Sequence, residues 1–413
     1  MMAWEVGSRV NVRVRGSSKE VEITIKELCS LSGHGGLMCD LARVKADAVV
    51  NGMACELNMM LKQVPIAKLD HSQKLGTQRE VQFYLQFPNL IETVPMPWVF
   101  RAEFDSSTGA KALLMEDLSA TGWVQSGYFY GGHSPLNWGK NLEECTRNIT
   151  ESAGEQASQE SITILAFQAA ARLHSHFWRD QAILSHSWMR GSRWIQGEDY
   201  EGWQSAQSVA IDSWKSIQQA LANESCQVTW SSSLLRVIEH SVAQVSKKYF
   251  DDFYRNLRNS PEHHWTLVHG DFHPGNMMLG LDSANPEHDK HQQVAACLLD
   301  WEMVGVGCGP QDLGQYVISH VEPGERNKWE SRALKAYHDE LVKNWPQTCK
   351  GSSYSMEQCR HDYVTGGIER WIWLLLALSA SCPPAVTQYF HDQVAAFVLD
   401  HGVTSTGIGA PRV

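Results

Sequence analysis

The sequence predicts an α+β protein that consists of a small β-rich lobe followed by a larger helical lobe. Two patterns predict this class. Up to residue 116, apolar residues alternate or form short runs bounded by Gly, Asp and Asn, as they do in strands. From residue 162 onward, apolar residues recur at helical spacing. With 413 residues, 43% of them hydrophobic and 20% charged, the chain has the composition of a folded molecule with a sizeable core.

Residues 1–118 are predicted to form the β-rich lobe. A helix is expected within it over Thr77 to Phe87, because Thr77 and Glu80 have the spacing of a capping box. The expected strands are Val12 to Arg15, Val21 to Ile25, Leu41 to Val50, Leu57 to Val64 and Ala112 to Met115.

Residues 119–161 are polar and lack a sustained period, so we expect a linker or an inserted loop there. Residues 162–413 are expected to form the helical lobe. Its predicted helices are Ile162 to Trp178, Trp203 to Leu221, Leu234 to Leu257, Glu330 to Val342 and Gly367 to Ala380. Its predicted strands are Trp265 to Val268, Met277 to Leu279 and Val294 to Leu299.

Charge and cysteine content narrow the class of protein. A formal net charge of -11 repels nucleic acid and anionic membranes, so we expect neither as a partner. The ten cysteines include no Cys-x-x-Cys pair, which is typical of reduced thiols. No secretory signal is evident, and the longest apolar stretch, Trp371 to Ala380, is about half the ~20 residues that span a bilayer. A cytoplasmic protein is expected.

The segment His269-Gly270-Asp271-Phe272-His273-Pro274-Gly275-Asn276 is the most informative motif. In phosphoryl transfer of the kinase type, the spacing H-x-D-x-x-x-x-N places an Asp to accept the proton of the substrate hydroxyl and an Asn to hold Mg²⁺. Predicted strands precede and follow the motif. Taken alone, Asp271 could equally be a residue that caps a turn.

A second acidic motif follows downstream. Asp300 ends the predicted strand Val294 to Leu299, and its carboxylate is a hard oxygen ligand that suits Mg²⁺. The alternative is an ordinary strand-terminating Asp at the surface. Other site classes are disfavoured, since the sequence contains no G-x-x-x-x-G-K-[ST], no G-x-S-x-G and no H-E-x-x-H.

These motifs together resemble the aminoglycoside phosphotransferase and choline kinase-like superfamily, including its ecdysteroid kinase-like branch. Four segments carry the resemblance: Leu267 to Asn276, Leu299 to Glu302, Gly309-Pro310-Gln311-Asp312-Leu313, and Leu173-His174-Ser175-His176. The resemblance implies a bilobal protein-kinase-like fold with a small antiparallel N-terminal lobe. It also implies ATP and Mg²⁺ as cofactors, with Asp271 as the catalytic residue and Asn276 and Asp300 as metal ligands.

The resemblance implies nucleotide-binding roles as well. Lys62 would contact the phosphates and Glu80 would pair with it, although Lys68 and Lys74 are rival lysines. The backbone between Glu116 and Leu118 would hydrogen-bond adenine.

Further roles follow for a glycine cluster and for two supporting residues. Gly33, Gly35 and Gly36 would cap phosphates through their amides, although the third glycine of G-x-G-x-x-G is missing and a flexible turn is the alternative. Asp312 would anchor the backbone of the catalytic loop, with helix N-capping as its alternative role, and His269 is expected to support that loop.

The acceptor is expected to be the hydroxyl of a small molecule such as an amino alcohol, a sugar, a sterol-like alcohol or an aminoglycoside. Twelve of the sixteen tryptophans lie beyond residue 170. They could form an aromatic box for a cationic amine or an apolar floor for a polycyclic alcohol, or they could simply pack the core. The rival functions are a nucleotide-binding pseudokinase and a protein kinase proper. The latter is disfavoured, because no Ala-Pro-Glu triplet follows Asp300.

Overall fold

The computed structural model describes residues 4–17, 19–31, 39–189, 200–244, 264–282, 293–346 and 354–403. They form two compact units. The first unit lies within Met1–Val124 and also includes Met278–Gly280 and Cys297–Val304, and the second contains the remaining described residues. The sequence-based division at residue 118 had assigned the two later segments to the helical lobe. The predicted class is confirmed, with an antiparallel sheet towards the N-terminus and helices towards the C-terminus.

The first unit contains a six-stranded antiparallel sheet of order β1-β2-β3-β4-β6-β5. Its strands are β1 (Arg9–Val12), β2 (Val21–Leu31), β3 (Asp40–Val50), β4 (Met53–Gln63), β5 (Val99–Asp105) and β6 (Ala110–Glu116). Alternate residues of β3, from Ala42 to Ala48, are buried in the core. This is the period of two that a strand with one buried face requires.

Two helices belong to this unit, α1 (Leu69–Leu75) and α2 (Arg79–Gln86). The predicted capping box of α2 is wrong. Gln78 is the N-cap residue and makes no side-chain cap bond, while the hydroxyl of Thr77 pairs with that of Ser72. The carboxylate of Glu80 turns to buried lysines instead, because a charge-assisted bond to an ammonium group is stronger than one to a backbone amide.

Residues 119–161 contain regular structure that the sequence interpretation missed. After the short strand β7 (Val124–Gln125), helix α3 (Leu142–Ala153) begins at Asn141, whose side chain accepts a hydrogen bond from the amide of Glu144. The helix buries only Thr146, Ile149 and Ala153. Its apolar residues do recur at helical spacing, but polar residues outnumber them, and the segment was therefore interpreted as a loop.

The second unit is mainly helical. Its remaining helices are α4 (Gln159–His176), α5 (Tyr200–Ala222), α6 (Ser232–Gln244), α7 (Pro310–His320), α8 (Pro323–Lys343), α9 (Met356–Ser379) and α10 (Pro384–Asp400). Strand β8 (Thr266–Val268) pairs with β11 (Gly305–Gly307) in this unit. A further sheet has the order β10-β9-β7, and its strands β9 (Met277–Asp282) and β10 (Gln293–Leu298) include residues of the first unit. The part of the predicted helix that follows Gln244 lies outside the described residues.

The described residues also bear on the membrane and thiol expectations. Among them, no helix is both long enough and apolar enough to cross a bilayer. The nine cysteines that the structure describes are free thiols, as their scattered positions predict.

Two glycines set the distance between α7 and α9. A Cβ atom added to Gly314 would lie 2.5 Å from the Cα atom of Gly367 and 3.0 Å from the carbonyl oxygen of Tyr363. Backbones can approach this closely only where neither residue carries a side chain. This contact therefore fixes the position of α7, the helix that carries Asp312 and Gln315.

Gly314→Ala should destabilise the protein by about 1–3 kcal/mol, because the new methyl group overpacks the contact between α7 and α9. The measurement is urea unfolding, and the matched control is Gly324→Ala in α8. A Cβ atom at Gly324 would meet only Glu322 Oε1, at 3.6 Å. Equal unfolding midpoints for the two variants would contradict this account of the contact.

Candidate functional site

A buried network of charges lies in the first unit. Lys62, near the end of β4, places its Nζ atom 2.8 Å from Oε2 of Glu80 on α2 and 2.8 Å from Oδ1 of Asp300, which follows β10. The ion pair that was predicted between Lys62 and Glu80 is therefore present. Asp300 adopts a left-handed backbone conformation, with φ of 65°, and its side chain remains 39% exposed.

Two further residues of this network were missed by the sequence analysis. Lys111 on β6 is completely buried, and its Nζ atom lies 2.6 Å from Glu80 Oε2 and also contacts the carboxylate of Glu302. Glu302 Oε1 is in turn 3.2 Å from Lys62 Nζ. The available signal was a lysine inside an otherwise apolar strand, Ala110 to Met115, where a charge needs a buried partner.

The network favours the charged forms of its lysines and of Glu302. Burial tends to lower the pKa of Lys62, but the carboxylates of Asp300, Glu80 and Glu302 outweigh burial and raise this pKa well above its ordinary value. Burial likewise tends to raise the pKa of Glu302, yet Lys62 and Lys111 hold it below its ordinary value. The lysines are therefore ammonium groups and Glu302 is a carboxylate at neutral pH.

Oxygens of Glu80, Asp300 and Glu302 all lie within 4.8 Å of one another, a spacing that could hold a metal ion. Two ammonium groups already neutralise most of this negative charge. Asp300 is the member whose carboxylate is most exposed, so it is the one best suited to bind a metal ion that arrives from solvent.

The predicted hinge follows β6 in the same unit. The amide of Glu116 donates to the carbonyl oxygen of Trp98 at 2.8 Å, and Leu118 is buried. Between them, Asp117 accepts hydrogen bonds from the amides of Ser119 and Ala120, which fixes the chain after the strand. Adenine binding by the backbone of residues 116–118 stays a prediction. Gly33, Gly35 and Gly36 lie outside the described residues.

The predicted catalytic loop lies in the second unit and is anchored by a buried carboxylate. Asp312 on α7 accepts hydrogen bonds from the amide of His269 at 2.7 Å and from that of Gly270 at 3.1 Å. It also lies 3.3 Å from Nε2 of His174. Asp312 is not the N-cap of its helix, since Gly309 occupies that position. The geometry therefore supports the anchoring role rather than the capping alternative.

The carboxylate of Asp271 is held by two side-chain amides. Gln315 Nε2 donates to Asp271 Oδ1 at 2.9 Å, and Asn276 Nδ2 donates to Oδ2 at 3.0 Å. Arg370 holds Gln315 and the loop backbone in place. It donates hydrogen bonds to Gln315 Oε1 at 3.2 Å and to the carbonyl oxygen of Gly270 at 2.7 Å. Gln315 and Arg370 were missed, because no spacing in the sequence relates them to the loop.

Asp271 is ionised at neutral pH. Burial tends to raise its pKa, but His273, Arg370 and His269 together hold that pKa well below its usual range. The Nε2 atom of His273 is 3.6 Å from Asp271 Oδ2, and its Nδ1 atom accepts a hydrogen bond from the amide of Gly275. With 34% of its side chain exposed, the carboxylate can reach a hydroxyl group in solution.

The donor chemistry of Asn276 and Asp300 suits a hard divalent cation. In Asn276, the amide nitrogen is used by Asp271, so the oxygen of the same group is left to act as a ligand. Asp300 offers a partly exposed carboxylate. Both donors are oxygens of the kind that Mg²⁺ binds in proteins.

Of the ten second-unit tryptophans whose side chains the structure describes, five are buried in the core. The buried ones are Trp178, Trp214, Trp265, Trp329 and Trp371. Their burial fits the core-packing alternative. Trp194 lies outside the described residues.

Comparison with known proteins supports the resemblance. The model of the ecdysteroid kinase-like family matches residues 203–349, a stretch that contains Asp271, Asn276, Asp300 and Asp312. This match confirms the similarity that the motifs indicate. Among curated proteins, no significant match to the chain is found.

Three solved structures are similar to the chain. A GDP complex of an aminoglycoside 2'-phosphotransferase has 12% sequence identity and a TM-score of 0.46, covering 92% of this chain and 95% of its own. A choline kinase from Streptococcus pneumoniae has 10% identity and a TM-score of 0.40, covering 91% and 94%. A choline/ethanolamine kinase family protein from Mesorhizobium loti has 13% identity and a TM-score of 0.31, covering 90% and 92%.

Asp312→Asn should lower the free energy of unfolding by about 1–3 kcal/mol. The amide nitrogen of Asn cannot accept a hydrogen bond, so one buried backbone N–H of the catalytic loop loses its acceptor. Urea unfolding measures the loss. Asp339→Asn, which alters an exposed pair with Lys335, is the control and should shift stability by no more than about 0.5 kcal/mol. An unchanged free energy of unfolding in Asp312→Asn would refute the anchoring role.

A buried histidine beside the loop predicts a pH dependence of stability. His320 is buried, and neither ring nitrogen has a hydrogen-bond partner. Burial lowers its pKa well below the ordinary value, His273 and His133 lower it further when they are protonated, and Asp271 has a smaller opposing effect. The folded protein therefore binds fewer protons at this site than the unfolded chain does, so acid destabilises it.

The free energy of unfolding should accordingly fall as the pH drops below about 6.5, with His320 contributing about 1.4 kcal/mol per pH unit. His320→Phe should reduce this slope, because phenylalanine does not titrate. Urea unfolding between pH 7.5 and 5.5 tests the expectation, with the exposed His361→Phe as control. An unchanged slope in His320→Phe would show that another group is responsible.

Proposed function

We propose that the protein is a small-molecule kinase that uses Mg²⁺ and transfers the γ-phosphoryl group of ATP to a hydroxyl group. One observation carries the proposal. Lys62 and Glu80, whose pairing the resemblance implies, form a single ion-pair network with Asp300 although 18 and 238 residues separate Lys62 from its partners. The similarity to the ecdysteroid kinase-like family supports the same class of reaction.

In this proposal the first unit fixes the nucleotide. The Lys62 ammonium group turns from Asp300 to the phosphates and remains paired with Glu80, which holds it in place. A positive charge on the phosphate oxygens favours the charge distribution of the transition state. The backbone of residues 116–118 binds adenine, and the amides of Gly33, Gly35 and Gly36 contact the phosphates.

Asp271 orients the acceptor. Its carboxylate, fixed by Gln315 and Asn276, accepts the hydrogen bond of the substrate hydroxyl. It takes the hydroxyl proton as the new O–P bond forms and the bond between the γ-phosphorus and the β,γ-bridging oxygen breaks, with ADP as the leaving group. A carboxylate with a low pKa is a weak base, so its main contribution is alignment of the nucleophile, and the proton is transferred late. Asp312 maintains this geometry through the backbone of the loop.

Asp300 and Asn276 would hold the Mg²⁺ that accompanies ATP. When bound, the ion neutralises charge on the phosphate oxygens. The acceptor belongs to the small alcohols, namely amino alcohols, sugars, sterol-like alcohols or aminoglycosides. We also propose that the enzyme acts in the cytoplasm without a nucleic-acid or membrane partner.

Asp271→Asn should reduce phosphoryl transfer by about 10²–10⁴-fold, because the amide cannot accept the hydroxyl proton. The acceptor is first identified by thermal shift with MgATP and a panel of amino alcohols, sugars, sterols and aminoglycosides, since a ligand that binds the native state raises the melting temperature. Transfer is then measured as phosphorylated product. Asp339→Asn serves as the matched control.

Two outcomes would contradict the proposal. Transfer by Asp271→Asn within about tenfold of the wild type would remove Asp271 from its role as base. MgATP binding without transfer to any member of the panel would favour the pseudokinase alternative.

A further inference from the structure

Lys111 shares one face of the sheet with Lys62. Lys62 is paired directly with Leu113, and Lys111 lies two residues before Leu113 on β6, so the two lysines are diagonal neighbours on the same face. Both ammonium groups reach Oε2 of Glu80, at 2.8 Å from Lys62 and 2.6 Å from Lys111. Lys111 also contacts Glu302 and lies 3.4 Å from the carbonyl oxygen of Thr77.

A second lysine at this place requires an explanation. Removal of a charge from water is costly unless partners replace the lost hydration. A single lysine would suffice to pair Glu80, and Lys62 alone already lies within 3.2 Å of all three carboxylates, those of Glu80, Asp300 and Glu302. Lys111, in contrast, reaches only Glu80 and Glu302, and it is the more deeply buried of the two lysines.

The different carboxylate contacts of Lys62 and Lys111 would decide which lysine is free to bind the phosphates of a nucleotide. In the proposed function, phosphates would draw the Lys62 ammonium group away from part of the network, and Asp300 would hold the metal ion. Glu80, which is 1% exposed, then shares Lys62 with the phosphates, and the partly buried Glu302 loses its contact with Lys62, so both carboxylates need a second cation. The guanidinium group of Arg79 is engaged by main-chain carbonyl oxygens of Glu302 and Leu75, so Lys111 is the described ammonium group that remains with both carboxylates.

We infer that Lys111 is a positioning residue that keeps Glu80 and Glu302 neutralised, so that Lys62 is available to the nucleotide phosphates. This inference rests on the proposed function, since it assigns Lys62 to phosphate binding. Without Lys111, the two buried carboxylates would compete with the phosphates for Lys62. Lys111 would therefore act on phosphate binding through Lys62 and Glu80, without contacting the nucleotide.

Lys111→Met should weaken binding of the non-hydrolysable complex MgAMP-PNP on the order of tenfold, which corresponds to about 1.4 kcal/mol. Adenosine, which lacks phosphates, should bind the variant and the wild type equally. Isothermal titration of the full-length protein measures both dissociation constants and requires no acceptor. Lys335→Met, which removes an exposed lysine, is the matched control.

Two further variants separate positioning from folding. Lys111→Arg keeps the positive charge and should retain most of the affinity for MgAMP-PNP. Addition of Glu302→Gln to Lys111→Met removes one of the competing carboxylates, so the double variant should regain affinity relative to Lys111→Met alone. A purely structural role would weaken adenosine and MgAMP-PNP alike, so recovery that is confined to MgAMP-PNP reports positioning.

The outcomes distinguish failure of this inference from failure of the proposed function. If the wild type does not bind MgAMP-PNP, the proposed function fails and the inference fails with it. If the wild type binds and Lys111→Met binds equally well, only the inference is overturned. An equal loss of adenosine and MgAMP-PNP binding, without recovery in the double variant, would also overturn it, because that pattern reports a structural role.

Discussion

The buried carboxylate of Glu80 is the group on which the first unit's candidate site depends. It is 1% exposed, and a carboxylate removed from water needs opposite charges close to it. Lys62 on β4 and Lys111 on β6 provide these charges, so the ion pairs connect α2 to the sheet. The same two lysines also pair with Glu302, and Lys62 pairs with Asp300. Ion pairs of this kind contribute little net stability, because desolvation offsets attraction, but breaking one is costly. The network therefore fixes positions more than it stabilises the fold.

In the second unit, too, a buried carboxylate fixes the position of the predicted catalytic loop. Asp312 is buried, and its carboxylate is committed to two backbone amides of the loop. The Gly314–Gly367 contact holds the helix that carries it. Asp271 is thereby presented on a fixed backbone, while Gln315 and Asn276 orient its oxygens. In both units a buried carboxylate positions a more exposed one. Glu80 acts on Asp300 through Lys62, and Asp312 acts on Asp271 through the backbone of the loop.

The sequence predicted the elements with strong periodicity and the residues within contiguous motifs. Asp300 could be proposed from its place at the end of a strand, whereas Lys62 and Glu80 were implied by the resemblance to the superfamily. The role of Lys111 could not be predicted, because a lysine in an apolar strand indicates that a buried partner exists but not which residue it is. Gln315 and Arg370 lie 44 and 100 residues from the loop residues they contact, and only the fold brings them together. Helix α3 was missed because polar residues outnumber apolar ones along it, although the apolar residues recur at helical spacing.

The central claim is that Lys62, Glu80 and Asp300 form a site for the phosphates of a magnesium nucleotide. The most direct measurement is the affinity of the wild type and of Asp300→Asn for AMP-PNP, each titrated with Mg²⁺ and again with EDTA. The account predicts that Mg²⁺ tightens binding to the wild type and that Asp300→Asn loses most of this gain. Equal affinity of the wild type with and without Mg²⁺, or a gain that Asp300→Asn fully retains, would contradict it.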